Sequence, residues 1–92
     1  MNIKVFGKKG CAKCETTKNK IKHFVAKWEV DDQVKLDFHD MDTVDGMAEG
    51  AYNDVLQIPT TIFEKDNEVV ARWEGEVPHS EKIKEHLIED VT

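Results

Sequence analysis

The sequence predicts an α/β fold of order β-α-β-α-β-β-α, a four-stranded mixed sheet flanked by three helices. Three observations predict it. Short runs of alternating apolar and polar residues take turns with longer runs whose apolar residues recur at helical spacing. Strands that alternate with helices imply a parallel pairing. The last two strand-like runs are separated only by Lys65, Asp66 and Asn67, which adds an antiparallel hairpin at the sheet edge.

In residues 2–6, Ile3 and Val5 share one face with Lys4 between them, which reads as a short strand. Residues 7–10 form a glycine-bounded connector. From Ala12 to about Val30, the residues Ile21, Phe24, Val25 and Trp28 fall on one helical face, and Asp31 and Asp32 end the run. Residues 34–39 alternate Val34, Leu36 and Phe38 with Lys35, Asp37 and His39, a second strand. Asp42 or Thr43 caps the next helix. Its apolar stripe is Val44, Met47, Ala48, Ala51, Tyr52 and Val55. Gly46 and Gly50 lie off that stripe and weaken the helix by roughly 1 kcal/mol each relative to Ala. Residues 60–64 and 68–73 supply the hairpin strands, and Gly75 and Pro78 break the chain after them. Ser80 caps a last helix with Ile83, Leu87, Ile88 and Val91 on one face. Trp28 and Trp73 are read as packing residues, Trp73 bordering the site.

No repeat, low-complexity tract or linker interrupts the chain, so residues 1–92 read as a single domain. A hydrophobic content of 39% supports one modest core. The net charge of −6 argues against nonspecific nucleic-acid binding. No apolar run approaches the ~20 residues of a membrane span. The N-terminus lacks the apolar core of a signal peptide. The expected protein is a cytoplasmic monomer without nucleic-acid or membrane partners. In that compartment disulfides are usually transient and catalytic.

The charge is uneven. Residues 4–27 hold eight lysines and one acid, whereas residues 29–54 hold nine acids and one lysine. Two readings fit: two solvated surfaces, or a positive field around the cysteines that favours a thiolate. The acidic segment would steer a basic partner.

The chain has two cysteines, Cys11 and Cys14, just beyond the first strand at the start of the first helix. A helix N-terminus presents unpaired N–H groups and the positive end of a dipole, both of which favour a thiolate. The dipole supplies roughly 0.3–1 kcal/mol, up to about 2 when partly buried, or about one pKa unit. Cys11 at the helix end faces solvent and is the expected nucleophile. Cys14, one turn in, is the expected resolving thiol. Two other readings stay open. A stabilising staple closing so short a loop contributes only roughly 2 kcal/mol. A zinc site needs four ligands, of which the pair supplies half. His23, His39, His79 and His86 show no ligand spacing, which leaves a site shared between chains or a linear Cu(I) site.

Cys-x-x-Cys after a first strand, followed by Ile58-Pro59-Thr60 opening a later strand, resembles the thioredoxin-fold superfamily. Residues 56–87 are similar to the second half of that fold: Ile-Pro-Thr, a hairpin, a glycine, then a helix. The resemblance implies a thiol–disulfide oxidoreductase that reduces protein disulfides through Cys11 and Cys14. It implies no cofactor beyond the redox-active pair. It implies a disulfide-containing protein substrate and an upstream reductase or thiol donor. Pro59 is expected to be cis and beside the cysteines, so that Ile58 offers its main chain to an extended substrate strand. Gly10, Ala12, Lys13 and Gly75 are the further expected substrate contacts.

The chain departs from the superfamily's patterns in several places. Strand one starts at residue 2, as in glutaredoxin-sized members without the extra N-terminal β-α unit. Gly10 replaces the tryptophan that precedes the first cysteine of thioredoxins. Val5 stands where they carry a buried acid, so that acid's proton relay is not carried over. Ala12-Lys13 between the cysteines matches neither familiar motif. Trp73-Glu74-Gly75-Glu76-Val77 does not match the glutathione-binding turn of glutaredoxins.

Overall fold

The computed structural model describes residues 1–30 and 32–91, with side chains described as far as residue 87. Seven elements follow the expected order: β1 (Asn2–Gly7), α1 (Ala12–Lys27), β2 (Lys35–Asp40), α2 (Val44–Tyr52), β3 (Thr60–Lys65), β4 (Glu68–Glu74) and α3 (Ser80–Val91). The sheet order is β2-β1-β3-β4. β1 pairs parallel with β2, Val5 opposite Phe38. It pairs antiparallel with β3, Val5 opposite Thr61. β3 and β4 form the hairpin, with Lys65 facing Glu68. Asp66 and Asn67 between them both have positive φ, the two-residue turn whose twist matches the strands.

The period-two pattern of β1 sorts the layers. Ile3 and Val5 face α1 and α3, joining Ile21, Val25, Phe63 and Leu87 in the core. Fully burying a side chain of this size contributes about 1.5–3 kcal/mol relative to exposure. Phe6 points the other way and stacks on His39, ring centroids 4.7 Å apart. α2 covers that second face against β2.

Several expectations are corrected. α1 stops at Lys27 rather than about Val30. Glu29 takes a left-handed φ of 54°, donating to the Ala26 carbonyl while Val30 donates to Val25. This is a Schellman ending with glutamate where glycine is usual. Val30 is still buried, because the motif folds it back onto the core. Asp31 lies outside the described residues. Trp28 is 37% exposed and lies against the ammonium groups of Lys27 and Lys84 rather than in the core. Trp73 does pack, edge-on to Phe63. β2 is shifted one residue, to Lys35–Asp40. Ser80 opens α3 instead of preceding it, and the His79 carbonyl accepts from Ile83 N–H. The side chains of Ile88 and Val91 lie outside the described ones.

The largest correction is the face of α2. The apolar stripe points outward, with Val44 78% and Tyr52 85% exposed. The glycines point inward and are buried. A Cβ on Gly46 would overlap the Asp40 carbonyl, and one on Gly50 would overlap the Met41 side chain. α2 therefore lies closer to the end of β2 than any side chain allows. Thr43 caps it as expected, accepting the Gly46 N–H at 2.9 Å.

Two stability measurements test these assignments. Ala replacing Gly in a helix normally stabilises by up to about 1 kcal/mol. Gly46→Ala is expected to destabilise instead, by about 1–3 kcal/mol in urea unfolding, as overpacking does. Glu29→Gly is expected to raise stability by about 1 kcal/mol in the same assay, by relieving the left-handed backbone.

Candidate functional site

Cys11 is the N-cap of α1, with φ −91° and ψ 109°. Its Sγ accepts the backbone N–H of Cys14 at 3.2 Å. A cap sulfur thus takes the place of the usual serine or aspartate oxygen and satisfies one of the helix's orphan donors. Gly10 before it has φ +80° and lies in open space, so the backbone angle rather than crowding favours glycine there. The turn closes with Cys11 N–H donating to the Lys8 carbonyl at 3.4 Å. Ala12 and Lys13 are exposed on the first turn.

Cys11 and Cys14 are joined as a disulfide with a Cα–Cα distance of 5.2 Å. The two sulfurs are not equivalent. Cys11 is half-buried, whereas Cys14 is 0% exposed. Cys14 sits on Gly7, the last residue of β1. A Cβ at Gly7 would lie 2.8 Å from Cys14 Cβ and 2.9 Å from its Sγ.

The Ile58–Pro59 bond is cis. Phe6 pairs with Thr60, so Pro59 falls beside the end of β1, next to Gly7. Gly75 N–H donates to the Pro59 carbonyl at 2.8 Å. A Cβ at Gly75 would strike the Gln57 side chain, and its φ is +70°. Gly75 therefore grips the proline loop from β4's end. Ile58 is half-buried and lines an open groove with Met41, Met47, Val55, Leu56 and Lys8. The fold thus brings Cys11, Cys14, Pro59 and Gly75 to one end of the sheet, with Ile58 beside them.

Three contributors carry no motif in the sequence. Gly7 gives Cys14 its seat; its only signal is a glycine on the core face of a strand. Arg72, the sole arginine, reaches across from β4 and donates to the Asn53 and Asp54 carbonyls at 2.7 and 2.9 Å. It ties down the loop between α2 and Pro59. Thr61, beside Pro59 in the strand, is buried with a hydroxyl that has no hydrogen-bond partner.

The lysines are less available than their clustering suggests. Lys4 pairs with Glu64 at 3.1 Å and Lys8 with Asp42 at 3.4 Å. Lys20 donates to the Pro78 carbonyl, and Lys18 lies 4.8 Å from the Phe38 ring centroid. Among the described residues, no three His, Cys, Asp or Glu side chains gather as metal ligands. His23 lies against Phe24 and His86 against Phe63 and Trp73.

A disulfide capping a helix N-terminus, set beside a cis-proline at the end of a mixed sheet, defines a dithiol–disulfide protein of thioredoxin fold. The family model of the thioredoxin domain matches residues 1–88, and the chain belongs to that family. Among solved structures it is similar to thioredoxin 1 of the thermophilic eubacterium Thermosipho africanus, 21% identical with a TM-score of 0.76, covering 97% of this chain and 96% of that one. It is also similar to thioredoxin O2 of Arabidopsis thaliana, 18% identical with a TM-score of 0.77, covering 96% and 72%. A third is Fasciola hepatica thioredoxin, 21% identical with a TM-score of 0.74, covering 97% and 79%. No curated protein matches the chain in sequence. The fold is that of these structures, and the chain is a thiol–disulfide oxidoreductase with Cys11–Cys14 as its redox-active pair.

Gly7→Ala tests the seat of Cys14. It is expected to destabilise the oxidised protein by about 1–3 kcal/mol, the usual effect of overpacking, and to slow disulfide closure. Urea unfolding and stopped-flow oxidation of the dithiol measure the two effects.

Proposed function

We propose that the protein reduces disulfides in other proteins, with Cys11 attacking and Cys14 resolving. The observation that carries this is the asymmetry of the pair: Cys11 caps the helix with an N–H on its sulfur, while Cys14 is sealed beneath. A donor already aimed at Cys11 Sγ stabilises negative charge there without rearrangement.

The Cys11 thiolate attacks one sulfur of a substrate disulfide. A Cys11–substrate bond forms, the substrate S–S bond breaks, and the electron pair leaves on the other substrate sulfur, which takes a proton from solvent. Cys14 then loses its proton and attacks Cys11 Sγ. The Cys11–Cys14 bond forms and the second substrate thiolate departs. An upstream reductase or small thiol returns the couple to the dithiol.

The groove beside Ile58 supports an extended substrate strand lying along the proline loop. Gly10, Ala12 and Lys13 would meet that strand on one side and Gly75 on the other. Val5, at the position where thioredoxins carry a buried acid, is paired with Phe38 in the sheet, so no carboxylate stands there. The protein acts as a monomer in a reducing compartment such as the cytoplasm.

The test is trapping. With insulin as the disulfide substrate, Cys14→Ser is expected to accumulate a mixed disulfide through Cys11, and Cys11→Ser none. Absence of any adduct, or an adduct through Cys14 in Cys11→Ser, contradicts the assignment.

A further inference from the structure

Thr61 is 0% exposed, and its Oγ1 has no hydrogen-bond partner in the oxidised protein. A buried donor left unpaired is costly, so its position calls for a physical reason. Thr61 pairs with Val5 across the β1–β3 ladder and with Trp73 across the β3–β4 ladder. Val5 and Trp73 both face α1 and α3, so Thr61 does too. Two residues beyond Val5 on that same face is Gly7, on which Cys14 sits. Thr61 is therefore the diagonal neighbour of Cys14's seat, about 7–8 Å away along the ladder. Cys14, seated on Gly7, and Thr61 thus lie over the same face of the sheet, at the two ends of that diagonal. Among the described residues, the other buried side-chain atom without a partner, His39 Nε2, belongs to a side chain stacked on Phe6 on the opposite face of the sheet.

We propose that Thr61 is a positioning residue for the redox couple: its hydroxyl donates to Cys14 sulfur when the disulfide opens. The inference concerns the same couple as the proposed function and rests on that reading. When an external thiolate attacks Cys11 Sγ, the Cys11–Cys14 bond breaks and its electron pair leaves on Cys14. The negative charge develops beneath the protein surface, where Val5 and Phe38 offer it nothing. Released from Cys11, the Cys14 side chain rotates on Gly7 towards the waiting O–H. A hydrogen bond to a charged acceptor is stronger than one between neutral groups. The hydroxyl is thus unpaired in the disulfide and paired in the dithiol. In the reverse step it steadies the Cys14 sulfur as that group loses its proton and attacks Cys11.

Replacing the hydroxyl by a methyl relieves the oxidised state of an unpaired donor and deprives the reduced state of a bond. Both changes favour the disulfide. In equilibrium with reduced and oxidised dithiothreitol, read by acid quenching and the mass added on alkylation, Thr61→Val is expected to shift the constant about tenfold towards disulfide. For a two-electron couple that is about 30 mV more negative. Thr61→Ser, which keeps the hydroxyl, is expected to return within about twofold of the native value, and Thr61→Ala to shift in the same direction as Thr61→Val. A residue that only packs would leave the constant of the near-isosteric Thr61→Val unmoved. An unchanged constant in Thr61→Val and Thr61→Ala, or an equal shift in Thr61→Ser, overturns the proposal. The measurement uses no protein substrate, so a failure to reduce insulin would refute the proposed function while leaving this result standing on its own.

Discussion

The reactive pair depends on how closely the first turn of α1 lies against the end of β1. Gly7 has no side chain, so Cys14 rests directly on the strand, within 2.9 Å of where a Cβ would stand. That contact buries Cys14 and fixes the helix start. It also leaves Cys11 at the cap, half-exposed, with the Cys14 N–H on its sulfur. Antiparallel pairing of β1 with β3 then places the cis-Pro59 loop beside both cysteines. A bulkier residue at position 7 would alter the cap and the burial of the Cys14 sulfur, both of which depend on one close approach.

A second close approach organises the opposite layer. Gly46 and Gly50 let α2 lie on the end of β2, and Arg72 holds the carbonyls of Asn53 and Asp54 just after it. The segment leading to Pro59 is therefore anchored at both sides, by Arg72 before the loop and by the Gly75 N–H after it. The apolar stripe of α2 is left facing outward near the groove at Ile58. Residues of the wrong polarity for a solvated helix thus flank that groove.

Much of the fold was legible because β1 and β2 alternate cleanly and α1 repeats at helical spacing. The cysteine pair was legible from its position between the first strand and the first helix. The face of α2 was not. Six apolar residues at helical spacing normally mark the buried side, and only the tertiary approach of Asp40 and Met41 shows why two glycines take it instead. The end of α1 was missed because glutamate rarely adopts the left-handed conformation that Glu29 holds. The lysine cluster looked like a field acting on the cysteines. In the fold, Lys4, Lys8 and Lys20 have partners of their own, and the exposed Lys8–Asp42 pair contributes only about 0–1 kcal/mol. The proposed function assigns stabilisation of a Cys11 thiolate to the helix cap, whose N–H already lies on that sulfur. Thr61 and Gly7 carry no motif, since their places relative to Cys14 arise from the register between β1 and β3.

In the proposed function the helix cap makes Cys11, and not Cys14, the thiolate that reacts. The direct measurement is alkylation of the reduced protein with limiting iodoacetamide across pH, with the modified cysteine located by peptide mass spectrometry. We expect modification at Cys11, with a midpoint below about pH 8, since an unperturbed thiol titrates near 8.5. Equal labelling of both cysteines, or a Cys11 midpoint at the unperturbed value, would contradict it.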